Sequence, residues 1–185
     1  LELNRADGLL QATTLLFGEG DAYRRELLEE TERNLRRLSY LREPRVRPVR
    51  YHDGVVDVEV QTQDVWTLQL GPSYGGSGGS DRSSFEIEDN NLFGFGRTLA
   101  LGAGREVDRS SSFLEWRDGN VLGSRWRDSL RWTESSDGYV HGGAVWRPFY
   151  SLATRWAGGV AVDESQWRNS RYRLGQRYDY YDSRV

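Results

Sequence analysis

Cysteine and methionine are both absent from the 185 residues, and proline occurs only four times. No apolar run approaches the about 18 residues that a membrane helix needs. Without cysteine there is no disulfide scaffold and no cysteine zinc site. Without methionine, and with Leu1 as first residue, the natural start and any leader peptide are expected to lie outside this sequence. The missing apolar runs exclude helical membrane spanning and leave spanning by strands open. A charge of one sign is lacking too. The 25 basic and 28 acidic residues are interleaved, the net charge is −3, and no basic stripe is offered to a nucleic-acid backbone.

Aromatics are plentiful by contrast, at 12%, with seven Trp and ten Tyr, alongside 21 Gly and an overall hydrophobic fraction of only 37%. That mixture suits antiparallel strands joined by glycine-bearing turns. The chain changes character near Trp66. Before it, Tyr23, Leu27, Thr31, Leu35 and Leu38 recur at helical spacing, with Gly20 and Asp21 as the expected start and N-cap. A weaker helical patch spans Leu9 to Leu16, and Leu1 to Asn4 reads as a strand stub. Arg45 to Tyr51 and Val55 to Gln63 then alternate as two strands around His52, Asp53 and Gly54, an Asp-Gly hairpin, with Val56, Val58 and Val60 on one face. Residues 1–65 are therefore expected to form a small α+β domain.

From Trp66 to Val185 the pattern is strand-like and repeats. Asn91, Leu92, Phe93, Gly94 is echoed 29 positions on by Asn120, Val121, Leu122, Gly123, and Ser124, Arg125, Trp126 is echoed 30 positions on by Thr154, Arg155, Trp156. About eight strands of roughly ten residues are expected, with polar turns at Asp108 to Ser112, Ser135 to Gly138 and Asp163 to Ser170. One face groups Leu99, Leu101, Ala103, Leu114, Trp116, Leu130 and Trp132, and it is assigned Val140, Ala144, Trp146, Trp156, Val160 and Val162 as well. The other is assigned Glu115, Arg117, Arg127, Arg131, Arg147, Arg155, Arg173 and Arg177. A soluble sandwich would bury the first face, whereas a barrel would turn it to lipid. Trp66, Trp126 and Trp156, near strand ends, favour the barrel as an interfacial girdle. Asp128 stands against it, since its parity directs a carboxylate to lipid unless a bulge intervenes.

Other motifs carry little chemistry. Gly75, Gly76, Gly78 and Gly79 lack the Lys-Ser/Thr and helix of a phosphate loop and read as a hairpin tip. Glu86 and Glu88 share a face, but nothing converges on them. His52 and His141 have no partner at metal-ligand spacing. Neither catalysis nor a cofactor is expected.

Two stretches, in this order, resemble the BamA and TamA type of outer-membrane assembly factor, in which POTRA domains precede a barrel. One runs from Glu19, Gly20, Asp21, Ala22, Tyr23 through Leu28 to Leu41, Val46 to Val49 and Val55 to Val60. The other is Asn90, Asn91, Leu92, Phe93, Gly94, Phe95, Gly96, Arg97, Thr98, Leu99. The resemblance implies a POTRA-like periplasmic domain at 1–65 and the N-terminal part of a transmembrane β-barrel at 66–185. It implies a barrel of about sixteen strands, of which half fit here. No match to the loop motif of the barrel's second half is present.

The implied location is the Gram-negative outer membrane. The implied partners are unfolded outer-membrane or secreted clients, outer-membrane lipid and periplasmic accessory proteins. The implied action is strand pairing without chemistry. Clients would be captured at an edge strand through Arg45, Val46, Arg47 and Val49, with Arg42 and Arg50 adding charge. Trp66, Thr67, Leu68, Gln69, Leu70 and Gly71 would begin a lateral-gate strand running to Tyr74, in which Pro72 removes a donor. Asn91, Leu92, Phe93, Gly94 and Gly96 form the family turn motif. The rival readings are a secreted β-sandwich or carbohydrate-binding module and a small eight-stranded pore.

Overall fold

A computed structural model describes residues 2–5, 14–77, 80–106, 108–173 and 176–185. Two sheets divide the chain. The first is three-stranded, ordered β1-β3-β2: β1 (Glu2–Arg5) runs parallel to β3 (Val55–Asp64), which pairs antiparallel with β2 (Leu41–His52). The hairpin turns on Asp53 and Gly54, both at positive φ (47° and 78°), the geometry that an Asp-Gly turn supplies.

Helix α1 (Arg25–Leu35) lies on this sheet. Leu28 and Leu35 join Leu15, Phe17, Val46, Val58 and Val60 in one core, with Leu38, Leu41 and Val56 around it. Thr31 is fully buried because both of its bonds are made: its hydroxyl donates to the Leu27 carbonyl (2.7 Å) and accepts the Leu16 N–H (3.2 Å).

Three expectations for this unit are corrected. The helix starts at Arg25, not beside Gly20, and Arg24 at its N-cap makes no side-chain cap bond. Asp21 instead closes a local turn by accepting the Gly18 N–H (2.8 Å). Tyr23 lies before the helix and is exposed. Of the patch Leu9 to Leu16, residues 9–13 lie outside the described residues, and Leu15 enters the core from irregular chain.

The second sheet is an antiparallel meander of eight strands. They are β4 (Leu68–Ser77), β5 (Ser80–Asp89), β6 (Arg97–Arg105), β7 (Ser110–Asp118), β8 (Arg127–Ser135), β9 (Gly138–Arg147), β10 (Gly158–Arg173) and β11 (Gln176–Arg184). They pair in chain order, and β4 and β11 are its two ends. The expected polar turn at Asp163 to Ser170 is absent, because these residues belong to the long strand β10. Of the Gly75 to Gly79 stretch, residues 75 and 76 lie in β4, and 78 and 79 lie outside the described residues.

The ladders sort the faces. Leu70, Ile87, Leu101, Leu114, Trp132 and His141 form one cross-strand row, and Leu130, Gly143 and Val162 belong to the same face. Arg117 pairs with Ser129 and Arg127 with Trp146 on the opposite face. Val140, Ala144 and Trp146 are therefore corrected to the polar face, opposite Thr133, Ser129 and Arg127. The hairpin Ser136–Asp137 sets this register, so Tyr139, His141 and Val145 take the apolar face. Arg147 alternates onto the apolar face as well, and Trp156 and Arg155 lie outside the strands. The side chains of Arg173 and Arg177 are outside the described residues.

Asp128 keeps the apolar-face parity without a bulge. It sits at the last rung, opposite Asp118, where its Oδ1 accepts the Trp116 indole N–H and the Asp118 backbone N–H (both 3.1 Å). Asp118, itself buried, takes Arg97 Nε at 2.9 Å. The carboxylate is thus a tie at the sheet's rim, not a stray charge.

Neither face of the eight-stranded sheet carries a core. Among the described residues from Leu68 onward, Ala100 is the one buried hydrophobic residue, while Leu70, Phe85, Leu130, Trp132, Val160 and Val162 are exposed. On the polar face small residues admit large neighbours: a Cβ on Gly102 would collide with the Phe113 ring, and one on Gly159 with Trp146.

Two stability predictions follow from these contacts. Leu35→Ala, in the fully buried core position, is expected to cost about 2–5 kcal/mol of the α+β unit, read by hydrogen exchange of β3 amides in the intact chain. Asp128→Ala is expected to cost about 1–3 kcal/mol through two stranded donors, with Asp128→Asn milder, read as a fall in the unfolding temperature of the chain.

Candidate functional site: two strand edges and the junction between the sheets

The turn joining β5 to β6 is built from one carboxylate and one amide. Asp89 Oδ1 accepts the Asn91 N–H (3.0 Å) and the Thr67 hydroxyl (2.7 Å), and Asn91 Oδ1 accepts the Gly96 N–H (2.8 Å). Between them Leu92–Gly94 makes one 3-10 turn in which Phe93 (φ 56°) and Gly94 (φ 77°) are left-handed. The next turn on this end repeats it. Asp118 Oδ1 accepts the Asn120 N–H (2.8 Å), and Leu122 (φ 51°) and Gly123 (φ 69°) are left-handed in Val121–Gly123. The repeat visible in sequence is thus a repeated backbone structure. A bulky left-handed residue costs roughly 1–2 kcal/mol, so two of them mark a built feature. Phe93 and Leu122 are held almost fully exposed at the tips, as is Leu152 in the third turn, which sequence reading did not single out.

These turns carry the α+β unit. Asn34 Nδ2 donates to the Tyr150 carbonyl (2.9 Å), the Leu152 N–H donates to Glu30 Oε1 (2.7 Å), and Arg125 Nη2 donates to the Leu15 carbonyl (3.0 Å). Tyr40 packs on Gly96, where a Cβ would lie 2.6 Å from the phenol oxygen. Burial, and then the charge of Asp64, raise the Tyr40 pKa above the usual tyrosine value, so the ring sits there neutral. A cavity of about 610 Å³ remains at the junction, bordered by Arg37, Tyr40, Arg117, Arg127, Trp146 and Phe149 among others. No group of three or more His, Cys, Asp or Glu able to hold a metal occurs among the described residues.

Arg45, Val46, Arg47 and Val49 all lie in β2, the outer strand of the first sheet. Its edge is guarded. The Val46 N–H donates to Glu32 Oε2 (2.9 Å), and Pro48, which follows it along the same edge, has no N–H. Arg47 is held by Glu59 (2.9 Å), while Val49 is exposed. On the second sheet, Leu68, Gln69, Leu70 and Gly71 open the end strand β4. Trp66 and Thr67 precede it, tied by the Trp66 indole donating to the Leu68 carbonyl (2.7 Å) and by Thr67 on Asp89.

These features define a class: a partial antiparallel barrel-type sheet with a small α+β unit seated on its turn end. Among solved structures, the chain is similar to BamA from Haemophilus ducreyi lacking POTRA domains 1–3. The TM-score is 0.53 at 15% identity, covering 94% of this chain and 38% of that one. The likeness is one of fold, and this chain spans 38% of the length of the structure it matches. No protein-family model and no curated protein matches the sequence.

Gly96→Val combines a left-handed β-branched residue with a collision on Tyr40. It is expected to loosen the junction by about 1–3 kcal/mol, seen as faster protease cleavage between Asp64 and Leu68. Cleavage at the wild-type rate would contradict the packing role assigned to Gly96.

Proposed function

We propose that this chain is part of an outer-membrane protein of the BamA/TamA type, acting in barrel assembly or protein translocation by strand pairing rather than by chemistry. In this reading, residues 1–65 are a POTRA-like periplasmic domain and residues 66–185 are the first strands of the membrane barrel. The observation that carries it is a sheet of eight strands paired in chain order, with an exposed apolar face and almost no buried side chain among the described residues. Water penalises such a face, and a bilayer solvates it while requiring the backbone to be paired, which the ladders achieve. The fold likeness and the order of the two units support the same reading.

Strand pairing needs free edges, and the end strands β4 and β11 each have one hydrogen-bonded neighbour among the described residues. β4 carries Gly71 and Pro72, which weaken it as a permanent partner and suit a strand that opens to a client hairpin. Capture of an extended client at β2 runs through Arg42, Arg45 and Arg50, which have no ion pair among the described residues, and through release of the Val46 N–H from Glu32.

The decisive test is protease protection of the chain with and without outer-membrane-like liposomes. The expected outcome is that 66–185 is protected only after reconstitution while 1–65 is cut. A monomer folded in plain buffer and indifferent to lipid would sink the reading. At the other edge, Glu32→Ala frees the Val46 N–H and is expected to tighten binding of an extended acidic peptide several-fold, by up to roughly one hydrogen bond's worth, 0.5–1.5 kcal/mol. Unchanged binding in a titration would remove β2 as the capture edge.

A further inference from the structure

Arg147 closes β9 at the end of the sheet that carries the long turns. The ladder sets it opposite Gly158, and alternation puts it on the apolar face, two residues beyond Val145. Its guanidinium lies 4.0 Å from the Trp156 ring centroid and 5.1 Å from that of Tyr150, and Nη2 donates to the Tyr150 hydroxyl at 3.1 Å. Trp126 meets Trp156 edge-on with centroids 6.1 Å apart. Arg125 also lies against Tyr150, 4.0 Å from its centroid.

Neither arginine has a carboxylate within ion-pair distance among the described residues. The acidic residue one rung away on this face, Asp128, already spends its Oδ1 on the Trp116 indole and the Asp118 N–H. Arg125 also donates to the Leu15 carbonyl, but among the described residues neither guanidinium at this phenol is neutralised by a direct ion pair, and Arg147 is left able to take an anion from outside.

The surroundings say what kind of anion. Next to Arg147 the face continues as Val145 and Val160, paired across the ladder and exposed at 43% and 66%. Beyond them Gly143 sits between Leu130 and Val162, leaving a gap in an aliphatic wall. Gly158, opposite Arg147, has open space where a side chain would stand. A cation stacked on an indole and a phenol, with a second indole edge-on to the first, at the foot of an aliphatic strip matches an amphiphile with an anionic head.

We propose that Arg147, Tyr150, Trp126 and Trp156 form a headgroup site for an anionic glycerophospholipid, whose acyl chain lies along Val145 and Val160 into the gap at Gly143. The phosphodiester meets the guanidinium, and the indoles flank the glycerol. Arg125 brings the local charge to two against one phosphate, which favours a head without a cation of its own. This rests on the membrane reading above.

The test is quenching of tryptophan fluorescence by brominated phosphatidylglycerol against brominated phosphatidylcholine, in vesicles holding the whole chain, with protease protection measured on the same samples. The expected result is a preference for phosphatidylglycerol of about fivefold, the size given by one guanidinium at an anionic surface. Arg147→Gln should abolish it and Trp156→Phe should shrink the extra quenching seen with phosphatidylglycerol, whereas Arg168→Gln, toward the other end of the sheet, should change neither. Equal quenching by both lipids in a protected chain overturns the site and leaves the membrane reading standing. Loss of protection in every vesicle overturns both. Should Arg147→Gln alone lose protection, Arg147→Lys decides: a protected chain with weakened preference supports the site, and one with full preference reduces it to bulk charge attraction and overturns the stacked geometry.

Discussion

Everything in the larger sheet depends on the lateral backbone hydrogen bond. Eight strands pair in unbroken order, and with scarcely a buried side chain there is no packing energy to hold them as in a sandwich. In water such a sheet would lose its hydrogen bonds to solvent and its apolar face would drive association. In hydrocarbon the same bonds have no competitor, so pairing alone suffices and only the edges remain exposed. The proposed function follows from that constraint, because a protein whose stability lies in strand pairing can exchange one strand for another with no chemical step.

The ends of the sheet are built differently from its middle. At the turn end, Asp89 and Asp118 organise successive turns and Arg97, Asp118, Asp128 and Trp116 tie neighbouring strands together. Polar ties concentrate at this rim, and the aliphatic residues of the apolar face lie along the strands beyond it. The α+β unit is anchored to this rigid rim through Asn34, Glu30, Leu15 and Tyr40, so its position is set by the turns and not by the exposed strand faces. The smaller unit, by contrast, has a core of its own and a guarded edge at Val46 and Pro48.

Much of this was legible in residue pattern. The helical recurrence of Leu27, Thr31 and Leu35, the Asp-Gly hairpin, the alternation of Leu99, Leu101 and Ala103 and the 29-residue echo of the Asn91 turn each express a local periodicity or a backbone preference, and such signals survive without tertiary context. The errors arose where register mattered. Val140, Ala144 and Trp146 alternate among themselves as an apolar set, but the Ser136–Asp137 hairpin shifts them to the polar face, and a one-residue shift inverts every side chain. The β10 segment from Asp163 to Ser170 is polar enough to read as a turn, yet its backbone is paired throughout, with β9 as far as Trp167 and with β11 from Gln166.

By itself, then, the sequence determined most of the strands, the Asp-Gly hairpin and which turns repeat, because these depend on neighbours a few residues away. Only the tertiary structure decided that Asp128 is a tie and not a misplaced charge, that Glu32 occupies the edge donor of Val46, and that Arg125 and Arg147 converge on Tyr150 with no ion-pair partner among the described residues. Each of those joins residues from different strands or units, at separations set by register and docking, and no local periodicity encodes such a distance.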